Sequence, residues 1–189
     1  QRKLKIRDQA AQEVIWNSVM TKAIAVALNP VTMLDVLTGA IVDVTMILML
    51  SRLYGLPMTR AGAVQLLKSI AVELGGLSAS ELLVTLGLSS LKGILGVSLP
   101  ATGGLSLAPY TTVAITQATV VGVATYGIGL VTQQYLANGA KWGPNGPKPV
   151  VHNILENLDE ASILNRIKTE ITAKLNRNSP DQSVSKPEI

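Results

Sequence analysis

An all-α fold, a hydrophobic helical bundle with membrane-embedded or transmembrane helices, is the class this sequence predicts, and three observations carry the prediction. The chain is 48% hydrophobic and only 15% charged, more apolar than an ordinary soluble domain. Its apolar residues recur at helical spacing in segments separated by Gly and Pro. From Gly93 through Ala140 there is no charged residue at all.

The elements follow in order. From Asp8 to Leu28, Val14, Ile15, Val19, Ile24 and Leu28 mark one helical face, and Asn29-Pro30 stops it. Residues 1–30 are therefore an amphipathic lead-in. The next helix, capped by Thr32 or Asp35, runs to about Ser51 and is apolar on all sides except at Asp43. Its fifteen or so residues give about 22 Å, short of a hydrocarbon core of about 30 Å, so its composition permits a span without compelling one. Tyr54-Gly55-Leu56-Pro57 breaks the pattern, and Thr59 caps a helix over 60–74 that Gly75-Gly76 ends. Ser78 and Glu81 form a capping box, which predicts a helix start near 79 and an end by Pro100. Pro109 to Leu136 reads as one long helix, in which residues 113–131 cover about 28 Å. Ala114, Ala118, Gly122, Thr125 and Gly129 form a small-residue stripe along it, suited to close approach of another helix. Residues 31–140 are thus the hydrophobic membrane domain. A loop at Gly139–Pro149 leads, within 141–175, to an amphipathic helix capped by Asp159 and lined by Ile163, Leu164, Ile167, Ile171 and Leu175. Asp159 and Glu160 open that helix with acids, and its polar face is mixed in sign, which favours docking on protein over lying on lipid. Residues 176–189 read as a disordered tail.

Chemistry is excluded more readily than assigned. Without cysteine there is no disulfide, thiolate nucleophile or thiolate metal site. The single histidine, His152, has no second His to build a zinc site, and no serine can be paired with it as nucleophile and base. No Gly-rich loop carries the Lys-Ser/Thr of a phosphate-binding turn, since Gly103-Gly104-Leu105-Ser106 lacks the Lys. The expectation is no catalytic residue, no cofactor and no metal. The net charge of +4 gathers near Arg2, Lys3, Lys5, Arg7 and Lys22, and without interleaved aromatics it does not describe a nucleic-acid binder. Asp35, Asp43, Arg52 and Glu81 are the candidates for buried charge; such groups are costly unless paired, and Arg52, Arg60, Lys68 and Lys92 match the acids Asp35, Asp43, Glu73 and Glu81 in number.

Several strings carry a resemblance. Val26-Ala27-Leu28-Asn29-Pro30 leading into Leu34-Asp35-Val36-Leu37, and Leu50-Ser51-Arg52-Leu53-Tyr54-Gly55, resemble the YcjF-related domain of unknown function that follows a P-loop GTPase domain in bacterial membrane-associated proteins. Gly75 to Leu83, Gly103 to Tyr110 and Tyr135 to Ala140 are similar to the carboxy-terminal part of cyanobacterial GTP-binding proteins of this type, as is the helix from Leu158 to Lys168. The resemblance spans about residues 15–175 and brings no catalytic residue with it. It implies a helical, hydrophobic domain coupled to a GTPase in cis or in trans. The expected role is a non-enzymatic membrane-anchoring and interaction domain at the plasma or thylakoid membrane, with cytoplasmic termini. Its expected partners are membrane lipid, that GTPase domain, and a protein partner or a second copy. The alternatives are a helical subunit of a larger membrane complex and a channel or transporter element centred on Asp43. Because the chain opens on Gln1, it reads as a fragment or a processed product.

Overall fold

The computed structural model describes residues 2–28, 35–75 and 107–178. Among these the chain forms six helices and no strand: α1 (Arg2–Leu28), α2 (Asp35–Leu53), α3 (Arg60–Gly75), α4 (Leu107–Ala137), α5 (Pro147–Glu156) and α6 (Glu160–Asn178). The described residues are all-α. The helix expected from about 79, with its capping box at Ser78 and Glu81, lies outside the described residues.

α4 is the axis of the bundle and α1 its main partner. The two run antiparallel: Gln12 pairs with Gln133, Ile15 seats against Gly129, and Val19 lies beside Gly122. Ile15, Val19 and Ala23 of α1 are fully buried, as are Ala118, Val123 and Val131 of α4. Shielding such side chains contributes about 1.5–3 kcal/mol for each large one. α1 is thus a core helix of the bundle, where the sequence suggested a lead-in. α2 returns antiparallel to α1, with Lys22 opposite Asp43 and Asp8 opposite Tyr54, and buries Met46, Ile47 and Leu50 between them.

Connections are made by local chemistry. Leu56 N–H donates to the Ser51 carbonyl at 2.8 Å, closing the turn after α2, and Thr59 Oγ1 accepts from Gly62 N–H at 3.1 Å as the cap of α3. After α4, Gly139 and Ala140 both adopt positive φ, with their N–H groups returning to the carbonyls of Leu136 and Tyr135; this left-handed exit satisfies two of the helix's last acceptors. Trp142 then folds back onto Tyr135, ring centroids 4.5 Å apart.

α5 opens inside the stretch Gly139–Pro149, whose glycines and prolines predict a loop. Pro147 stands in its first turn, where the missing N–H costs nothing, and Val151 and Leu155 bury one face. α6 follows after a bend at residues 157–159. It docks on α1 and α4 of the same chain, with Ile167 and Ile171 fully buried. Two such residues contribute about 3–6 kcal/mol together, enough to seat a helix that is otherwise polar.

Candidate functional site

Among the described residues, one buried and one half-buried set of polar side chains join the helices. In the first, Lys22 Nζ donates to Asp43 Oδ2 at 2.6 Å, between α1 and α2. Asp43 is 4% exposed although it lies in the most apolar stretch of α2. From α4 the fully buried Thr125 hydroxyl interacts with the same carboxylate, although neither Asp43 Oδ1 nor Thr125 Oγ1 completes a hydrogen bond of good geometry. Burial pushes the Asp43 carboxyl above its usual range, and the Lys22 ammonium and Thr125 hydroxyl oppose that rise without cancelling it. The partner is Lys22 of α1, outside the set of bases matched to it by number. A basic residue 21 positions earlier carries no sequence signal of the pairing; only the antiparallel register of α1 and α2 does.

The other buried-charge candidates are placed differently. Arg52 is exposed, in the last turn of α2, where a cation meets the negative end of the helix dipole and solvent together. Asp35 is the first residue of α2, and its side chain, like all of Glu81, lies outside the described residues. No contact therefore joins Asp35, Arg52 and Glu81 to Asp43 among the described residues.

The small-residue stripe lies inside the chain. Ala114 and Ala118 are buried on α4. A Cβ built on Gly122 would come within 2.8 Å of Ile167 Cδ1 from α6 and 3.4 Å of Val19 Cγ1 from α1. One built on Gly129 would meet Ile15 Cγ2 at 2.7 Å and Cγ1 at 2.8 Å. These two glycines set how closely α1 and α6 approach α4.

The second polar set fastens α6. Trp16 Nε1–H donates to both carboxylate oxygens of Glu170, at 3.0 and 3.2 Å, while the Arg166 guanidinium lies 3.7 Å above the Trp16 ring. The Tyr126 ring meets Trp16 edge-on at 6.2 Å. Its hydroxyl donates to Gln12 Oε1 at 3.2 Å, and Gln12 Nε2 donates to Gln133 Oε1 at 2.9 Å. Beside this chain of bonds, an open cleft of about 670 Å³ is lined by Tyr54, Tyr126, Gln133, Asn153 and Asp159 over a floor that includes Leu130 and Ile163. Asp159 caps α6 by accepting from Ser162 N–H at 3.2 Å; the Ser162 side chain first, and that backbone bond second, hold its carboxyl below the usual value. No sequence pattern would have grouped Gln12 and Trp16, one turn apart on α1, with the distant Tyr126 and Glu170.

Among the described residues no cluster of three His, Cys, Asp or Glu could hold a metal ion. His152 pairs with Glu156 one turn along α5, both exposed. One described helix, Ala114–Ala137, is long and apolar enough to cross a membrane, with a mean hydropathy of 1.5, and more than half of it is buried inside the bundle. A core helix of a soluble protein has the same length and composition.

No curated protein and no solved structure matches the chain. A family model does: residues 1–160 match the domain of unknown function DUF697. The match takes in α1 to α5 and the buried Lys22–Asp43 pair, and reaches the first residue of α6. The chain belongs to the DUF697 family.

Proposed function

We propose that this chain is a non-enzymatic anchoring and interaction module that holds a partner at a membrane. The observation that carries the reading is the unequal polarity of the bundle's two ends. The antiparallel register brings the end of α1 and the starts of α2 and α4 together. There Leu28 is 61% exposed and Ile41 65% exposed, and no charge occurs from Ala23 to Leu28 or along α4. α6 runs antiparallel to α4, because Ile163 shares the cleft with Gln133 while Ile167 sits at Gly122. Its last turns, with exposed Lys174 and Arg177, therefore rim the same end. The opposite end carries Arg7, Asp8, Arg60, Glu156 and Asp159.

Exposed aliphatic side chains rimmed by cations suit an anionic lipid surface: the apolar groups enter the headgroup region and the bases remain with the phosphates. The carboxy-terminal half of α4 packs against Ile15 of α1, Leu155 of α5 and Ile163 of α6, so lipid contact falls to exposed apolar side chains such as Leu28 and Ile41. The polar end then faces water, where a P-loop GTPase domain, in cis or in trans, is the partner that the resemblance of the sequence supports.

Flotation of the full chain with vesicles, with and without anionic lipid, tests this. The expected result is co-flotation that survives high salt and falls in Leu28→Asp/Ile41→Asp. A monomeric chain that stays at the bottom of the gradient overturns it. Recovery instead as a detergent-free complex with a second protein covering Ile41 would favour a subunit of a larger assembly, the reading suggested by the extent to which α4 is already covered by protein.

A further inference from the structure

The bend between α5 and α6 contains neither Gly nor Pro, only the caps Asn157 at the end of α5 and Asp159 at the start of α6. From Val150 to Asn178 the sequence lacks both of those residues, which ordinarily end a helix or turn it. Asn157 N–H donates to the Asn153 carbonyl at 3.3 Å and Leu158 N–H to the Leu155 carbonyl at 3.2 Å, so α5 is still winding helically as it reaches the bend. What holds the bend is the Asp159 cap on Ser162 N–H and the seating of α6 itself. Freed from its seat, α6 can continue α5 as one helix.

The seat belongs wholly to the family domain. Its floor is the Gly122 notch, which takes Ile167, and its wall is Trp16, which holds Glu170. The family match ends at Glu160, where the helix occupying the seat begins. The fit is not sealed: the 670 Å³ cleft and a second of about 340 Å³ beside Trp16 and Arg166 both border α6 and share Tyr126.

We propose that α6 is exchanged between two copies of this chain, each copy's α6 filling the other's seat while α5 and α6 straighten. The occupant is a second copy because its α6 carries the side chains this seat already fits. Every contact between α6 and its seat is remade in such a pair, only those of the bend being lost, and the interface is self-complementary, as two-fold symmetry requires. The equilibrium is then set by concentration and by the bend. This exchange is independent of the membrane reading.

Two full-length variants test it by complementation. Ile167→Asp spoils α6 and leaves the seat; Gly122→Leu fills the seat and leaves α6. Each alone is expected to be monomeric by light scattering, and their mixture to give a 1:1 dimer through one exchange. A mixture that stays monomeric while both variants keep native helical content by circular dichroism overturns the proposal. So does a dimer formed as readily by either variant alone, which would come from another surface. In the otherwise native chain, Asp159→Ala removes the cap at the bend and should raise the dimer fraction several-fold at equal concentration; no rise would also overturn it.

Discussion

Gly127 and Gly129 of α4 are two residues apart in one helix, and replacing each with alanine should move stability in opposite directions. The gain in helix propensity is common to both, about 1 kcal/mol for Gly to Ala in a helix interior. The surroundings differ. A Cβ at Gly127 meets only Leu155 Cδ2 at 3.8 Å, an ordinary contact, so Gly127→Ala should stabilise by roughly that 1 kcal/mol. A Cβ at Gly129 falls 2.7 Å from Ile15 Cγ2, 2.8 Å from Cγ1 and 3.3 Å from Cβ. Those atoms belong to a fully buried β-branched side chain with no free rotamer to retreat into. Overpacking of this kind costs about 1–3 kcal/mol, so Gly129→Ala should come out between neutral and about 2 kcal/mol destabilised. Because propensity cancels in the difference, the gap between the variants reports the α1–α4 contact alone. Urea unfolding followed by circular dichroism, in whatever solvent keeps the chain dispersed, measures it. Ile15→Ala, costing about 2–5 kcal/mol alone, should couple favourably with Gly129→Ala because the new methyl enters the space vacated. Equal stabilisation by both glycine substitutions, with no coupling to Ile15, would refute the close approach.

Removing Lys22 alone, as Lys22→Met, strands the Asp43 carboxylate and should cost about 3–5 kcal/mol, whereas Lys22→Met/Asp43→Leu should cost far less or stabilise, measured by the same unfolding curves. Because burial raises the Asp43 carboxyl, the folded state binds its proton more tightly than the unfolded state does. That contribution is fully present below the unfolded value and is lost as pH rises through the folded one, so the stability of wild type minus that of Asp43→Asn should fall as pH rises above the ordinary carboxylate value. A difference that instead rises with pH there would show the Lys22 attraction to dominate burial. Ile167→Asp should release α6 to limited proteolysis, at a cost of about 3 kcal/mol or more, while Lys168→Gln, on the exposed face, should leave the digestion pattern unchanged.

Helices were legible wherever one apolar face or a cap announced them. α3 begins after Thr59 and α6 after Asp159 because a side-chain oxygen at each position caps the following turn, a local interaction that sequence spacing reveals. α5 was hidden because Pro147 and Pro149 read as breakers, although proline in a first turn is compatible with a helix. The stripe on α4 announced close packing without saying against what: its neighbours, Ile15, Val19 and Ile167, lie over a hundred residues before it or some forty after it. The polar groups were hardest. Asp43 stood out by contrast with its surroundings, but Lys22 resembles any other lysine of an amphipathic helix until the register of α1 and α2 sets it opposite. Nor do Trp16 and Glu170 carry any mark of their pairing, which depends on α6 folding back.

The chain has two tryptophans, and they occupy unlike surroundings. Trp16 lies under a guanidinium with its indole N–H on a carboxylate, whereas Trp142 rests on Tyr135 at the exit of α4. Each is therefore a built-in optical probe of a different joint. With Trp142→Phe, intrinsic emission follows the departure of α6 from Trp16; with Trp16→Phe, it follows the loosening of the α4 exit, so the order in which the two joints open can be timed with no external dye attached.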